Sequence, residues 1–214
     1  MLKKHMCAAA LFLCISSLFL LSCVTPGPKD NGDNFLGDFN PIQLENLMVL
    51  NNALSGLKPV EVRTYLVPRT NTVELYFRIF ANEIALVLDK KTRDLIRASA
   101  EEYLSLYEKN SLTDQKPSKK NAFDKGLMSI GWGVLNPVRY TTAPFWTNYE
   151  FLEERPYFLL HVNPTPDSDD ASAYSPVVDL YLSPAQVREF LDLTDQARLE
   201  SIVADYNLRA YTFE

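Results

Sequence analysis

Acid, base and metal chemistry draw on a short list of side chains, and this sequence brings few of them together. His161 is the only histidine after residue 5, and the three cysteines, Cys7, Cys14 and Cys23, all fall within the first 23 residues. A Ser-His-Asp triad or a His/Cys zinc centre needs several such groups converging, so neither is available to residues 24–214 by the usual routes. His161 lies in an alternating stretch, in phase with Tyr157 and Leu159 and out of phase with Phe158, Leu160 and Val162. It reads as a packed or surface histidine, with single general-base chemistry as the sharper option. Asp167, Asp169 and Asp170 cluster as ligands of a hard cation do. Counted from Asp167 as an EF-hand loop, however, the fifth position is Ala171, the sixth Ser172 and the twelfth Val178, which favours a solvated acidic loop. Glu150, Glu153 and Glu154 are the acids a glycoside hydrolase would need, although Glu153 and Glu154 fall in a turn signal. There is no glycine-rich phosphate loop. The expectation is no catalytic residue, no metal and no cofactor.

The unusual feature is aromatic density. Residues 132–158 hold eight of the chain's 25 aromatic residues, where even spacing would give about three. They fall on both phases of the strand patterns, so one set can face solvent. Trp132, Tyr140, Trp146, Tyr149 and Tyr157 form the candidate binding surface, able to stack on a sugar ring, grip an acyl chain or anchor a protein. The alternative is a sheet core with half-buried tyrosines.

The amino terminus carries a different kind of signal. Lys3, Lys4 and His5 precede an apolar run from Met6 to Leu21, and Ser22 stands directly before Cys23. The order Leu20, Leu21, Ser22, Cys23 resembles the lipobox of bacterial lipoproteins. That resemblance implies diacylglyceryl transfer to the Cys23 thiol, cleavage between Ser22 and Cys23, and acylation of the new amino group. It further implies a lipid-anchored, exported protein, periplasmic or surface-facing. The apolar run of sixteen residues is shorter than the roughly 20 that span a bilayer, which disfavours an uncleaved helix. Each buried methylene contributes about 0.8 kcal/mol to membrane partitioning, so two or three acyl chains hold a protein on its membrane where one would not.

Cleavage there removes two lysines and no acid, taking the net charge from -6 to -8. A surface of that sign repels nucleic-acid phosphate and anionic headgroups, so nucleic-acid binding is not expected. Cys23 would be the one cysteine left, and lipid would consume it. No disulfide is available, and stability must come from burial, which a 47% hydrophobic composition can supply.

Residues 23–40 are rich in Pro, Gly, Asp and Asn and read as a flexible tether, followed by a single globular domain over 41–214. Within it, Leu44, Leu47, Met48 and Leu54 suggest a helix over 41–54. Alternation predicts strands over 60–67, 73–79, 84–88, 128–134, 145–152, 157–163 and 177–182, with a helix over 90–109. Ser183, Pro184 and Gln186 announce a helix start with a capping box, a further helix begins near Thr194, and Leu208 to Phe213 read as a terminal strand. The order of elements predicts an α+β fold, an antiparallel sheet with helices mainly on one face and a possible duplicated ββα unit. The functional expectation is a membrane-anchored, non-catalytic envelope protein that binds a protein or small ligand. The alternatives are an envelope hydrolase using carboxylates and a purely structural component.

Overall fold

The computed structural model of the protein describes residues 34–53 and 56–211. Among the described residues nine strands and three helices follow one another as β1 (Ile42–Gln43), β2 (Leu47–Ala53), β3 (Gly56–Val67), β4 (Thr72–Ile79), β5 (Asn82–Leu88), α1 (Lys90–Glu108), β6 (Lys125–Gly133), β7 (Arg139–Leu152), β8 (Arg155–Val162), β9 (Val178–Leu182), α2 (Pro184–Leu193) and α3 (Gln196–Tyr211).

Every pairing is antiparallel between consecutive strands from β2 to β9, and β9 then pairs with β2 through Leu50↔Tyr181 and Asn51↔Leu180. The sheet therefore closes on itself as an eight-stranded up-and-down barrel. This corrects the expected α+β arrangement of an open sheet with helices on one face. The ββα pairs are not separate units either, because α1 follows the four meandering strands β2–β5 and α2 the four meandering strands β6–β9, all in one closed sheet. β1 is the extra strand: it pairs with Tyr65 and Leu66 of β3, which meet β4 along the opposite edge.

Alternation explains how these residues make a barrel wall. In β4, Val73, Leu75, Phe77 and Ile79 are buried while Glu74, Tyr76 and Arg78 lie on the other face. β5, β6 and β8 carry Ile84, Leu86, Leu88, then Met128, Ile130, Trp132, then Phe158, Leu160, Val162 on the same inner face. Each such side chain taken fully out of water contributes about 1.5–3 kcal/mol. An eight-stranded barrel has an interior just wide enough for side chains to fill. Here it is filled, and the apolar gap left among residues such as Val62, Leu75 and Phe158 is only about 20 Å³.

The expected helix over 41–54 is β1 and β2. Leu47 and Val49 point inward, while Leu50 on the opposite phase packs in a second apolar cluster outside the barrel with Trp146, Leu159 and Tyr181. Apolar residues on both faces mimic a helical pattern. The expected terminal strand at 208–213 is, as far as Tyr211, the last turns of α3.

The helices close one end. Ile96, Ala100 and Tyr103 of α1, Val187 and Phe190 of α2, and Leu199 and Val203 of α3 all join the barrel core. Asp89 caps α1 by accepting from Thr92 N–H at 2.7 Å, and Ser183 and Gln186 form the expected capping box on α2. Buried Arg93 ties the end together. Its guanidinium donates to the carbonyls of Asn71 and Leu88, to Asn71 Oδ1 and to Gln196 Oε1 at 2.6–3.1 Å. Burial pulls the Arg93 pKa below its ordinary value. The packed body already includes Leu36, whose N–H donates to Pro68 O at 2.8 Å, and Phe39, edge-on to Tyr206.

Candidate functional site

With the interior full, the chemistry that remains is on the outer wall. Antiparallel register lines up Arg63, Tyr76, Ala85, Gly131 and Tyr140 across β3, β4, β5, β6 and β7. Small residues hold the middle of this row and tyrosines its two sides. The Tyr140 ring lies so close over Gly131 that an added Cβ would sit 2.6 Å from it. Tyr140 O–H donates to Pro137 O at 2.8 Å, which fixes the loop between β6 and β7 beside the row.

At the β3 and β4 side of the row lies a recess of about 280 Å³ lined by Arg63, Tyr65, Glu74, Tyr76, Glu83 and Asn136, among others. Tyr65 and Tyr76 meet edge to face, with centroids 5.7 Å apart, and the Arg63 guanidinium stands 6.0 Å from the Tyr76 ring centre. Glu83 is buried and pairs with both Arg63 and Arg78, whose Nε is 2.8 Å from Oε2. Glu74 accepts from Tyr76 O–H at 2.7 Å. Burial, then this bond to Glu74, pushes the Tyr76 hydroxyl well above its ordinary pKa, so it acts as a neutral donor. The acids and guanidinium groups balance, and the recess offers aromatic faces, donors and acceptors without a dominant charge.

A second outer-wall cluster surrounds His161. Its ring stacks on Trp146 with centroids 4.4 Å apart, Nδ1 lies 2.6 Å from Asp179 Oδ1, and Nε2 lies 3.3 Å from Asn163 Oδ1. Both nitrogens are engaged by oxygens of the chain, the arrangement of a histidine held for packing. Tyr181 O–H donates to Glu150 Oε2 at 2.8 Å, and burial together with that bond raises its pKa.

The structure disperses most of the residues singled out from sequence. Trp132 and Tyr149 face the barrel interior, and Tyr149 O–H donates to Thr113 O at 3.0 Å. Trp146 is buried in the outer cluster, against which half-buried Tyr157 packs. Tyr140 alone of the five is exposed, at 52%, and it stands in the row with Tyr76. Glu150 serves Tyr181, while Glu153 and Glu154 form the β7–β8 turn. Asp167 and Asp170 both contact Arg139, and the bonds from Ser172, then Arg139, hold the Asp170 carboxyl below its usual range. Among the described residues no three His, Cys, Asp or Glu side chains form a cation site. Ser22 and Cys23 lie outside the described residues. Arg63, Tyr65, Tyr76 and Glu83 are what a sequence reading passes over. The available signal was tyrosine on the polar phase of the strands, where a charge or threonine would serve solubility better.

Fold and site together define a filled, helix-capped up-and-down β-barrel whose recesses open on its outer wall. Among the described residues no helix is long and apolar enough to cross a membrane. The chain belongs to the family described as "Uncharacterised Treponema protein", which matches residues 31–201. An "Uncharacterized protein" of Treponema pallidum (strain Nichols) is 27% identical over 180 residues, a stretch covering 83% of this chain and 65% of that protein. The chain thus spans just under two thirds of the length of the curated relative it matches. No solved structure matches it.

Proposed function

We propose that this chain is an exported, lipid-anchored envelope protein whose barrel is a non-catalytic binding module, and that the outer-wall recess takes a neutral polyhydroxyl ligand of the saccharide class. The observation that carries the reading is the charge balance of the recess between two tyrosines. An anion would meet Glu74 and Glu83, and a cation would meet Arg63, while Arg78 helps to neutralise Glu83 from beyond the lining. A ring with hydroxyls on its edges and an apolar face matches Arg63, Glu74 and Asn136 around Tyr65 and Tyr76. The filled interior removes the barrel cup as a competing site. Against a hydrolase, both recess acids are committed, Glu83 to two guanidinium groups and Glu74 to the Tyr76 hydroxyl.

The anchor rests on the Leu20–Cys23 signal. Labelled palmitate should enter the wild-type chain and not Cys23→Ala, and a Cys23→Ala chain that remains membrane-bound would end the lipoprotein reading. For the recess, a glycan array probed with wild type and Tyr76→Ala is the test. Saturable binding lost in Tyr76→Ala supports the proposal. The absence of any glycan signal, or one that Tyr76→Ala retains, overturns it.

A further inference from the structure

The barrel wall has a gap where α1 leaves it. Val87↔Ser129 ends the register between β5 and β6. β6 nevertheless begins at Lys125 and stays paired with β7 from Lys125↔Trp146 onward. Lys125–Met128 therefore has a strand on one edge and helix α1 across the other. A strand edge in this state presents backbone donors and acceptors in a row.

The orientation of that edge is fixed by one contact: Thr92 Oγ1, on α1, donates to Leu127 O at 3.3 Å. In an antiparallel strand a residue's N–H and C=O point to the same edge, so both groups of Leu127 face the gap. The gap holds a groove of about 690 Å³. Val87, Leu95 and Leu127 supply its apolar surface, and Leu127 is 62% exposed. Lys91 and Lys125 line its sides, and among the described residues neither forms a salt bridge. The one acid in the lining, Asp89, is spent as the cap of α1.

We infer that this groove receives an extended, acidic segment of a partner protein, which adds as a short strand to the Lys125–Met128 edge. Main-chain bonds to Leu127 give affinity, and alternate side chains give selectivity, apolar ones on the inner side against Leu95 and acidic ones on the outer side, where Lys125 stands beside Leu127. Charge complementarity chooses the occupant, since a basic segment would meet two uncompensated lysines. This surface is separate from the Tyr65–Tyr76 recess, and the two proposals stand or fall independently.

The test uses the full-length chain in non-ionic detergent and three probes: a synthetic decapeptide alternating Glu and Val, the Lys/Val counterpart, and the Glu/Val peptide with alternate backbone amides N-methylated. Saturable binding of the first alone is expected. Lys91→Glu with Lys125→Glu should weaken it about tenfold or more. Leu127→Pro removes a donor on the open edge and leaves the β6–β7 ladder intact. It should abolish binding with an unchanged melting temperature. If Leu127→Pro unfolds the chain, the N-methylated peptide still decides. Equal binding of the methylated peptide, equal binding of the Lys/Val peptide, or no binding of any probe would overturn the proposal. Uptake of phosphatidylglycerol vesicles in place of the Glu/Val peptide would overturn it too, by making the groove a lipid-headgroup surface.

Discussion

The indole of Trp146 and the imidazole of His161 stack 4.4 Å apart on the outside of a barrel whose inside is already full. Asp179 holds the imidazole in place from the next strand, and Leu159, Tyr181 and Leu50 complete a second small core there. A Trp this deeply enclosed carries stability although it does not belong to the main core. Trp146→Ala should cost about 3–5 kcal/mol, and Asp179→Asn about 1 kcal/mol through the weakened bond. Urea unfolding of the two variants measures both. A Trp146→Ala chain as stable as wild type would mean that the outer cluster is loosely packed.

Thr64 is the one described residue with a buried side-chain oxygen that lacks a hydrogen-bond partner. Its neighbours on the inner face of β3 are Val62 and Leu66. An unpaired buried hydroxyl costs about 1–3 kcal/mol, and valine has nearly the same shape. Thr64→Val should therefore stabilise the protein by about 1 kcal/mol, read as a higher melting temperature.

Burial raises the pKa of Tyr103 and Tyr181 above that of a free phenol. Below about pH 10 each phenol is protonated in both folded and unfolded chains, and stability does not depend on it. Above that the unfolded chain gives up its protons while the folded chain keeps them, so stability falls as pH rises. Denaturant titrations between about pH 9 and pH 11.5 should show this loss. Tyr103→Phe should flatten its slope by one proton, even though it also removes the bond from Tyr103 O–H to Pro156 O.

Much of the secondary structure was legible because its signals are local. Val73 to Ile79 alternates, Ser183-Pro184 with Gln186 caps a helix, and Ile96, Ala100 and Tyr103 repeat at helical spacing. Closure of the sheet was not legible, because it depends on Leu50 meeting Tyr181, 131 positions away, and no local pattern encodes that pairing. The misread β2 shows the same limit. Leu50 is apolar because a second cluster covers it outside, and that cluster exists only once β9 lies alongside. The aromatic run at 132–158 was a true anomaly with a mixed cause. Trp132 and Tyr149 fill the interior, Trp146 fills the outer cluster, and Tyr140 alone reaches the exposed row.

The β7–β8 hairpin turns through two residues, Glu153 and Glu154, between the paired Leu152 and Arg155, with φ of 49° and 65°. Two positive φ values in a two-residue loop define the type I′ turn, which matches strand twist and favours Asn-Gly. A residue with a Cβ loses about 1–2 kcal/mol in that conformation, and two adjacent like charges at an exposed tip add nothing in return. Glu153→Asn with Glu154→Gly should therefore stabilise the barrel by about 1–2 kcal/mol, less the greater flexibility glycine gives the unfolded chain. Glycan and peptide binding should be unaffected, because neither Glu153 nor Glu154 lines the Tyr76 recess or the Leu127 groove. Denaturation midpoints of the double variant check the first expectation and the two binding assays the second. A gain in stability accompanied by lost binding would show that the acidic turn is itself part of a binding surface.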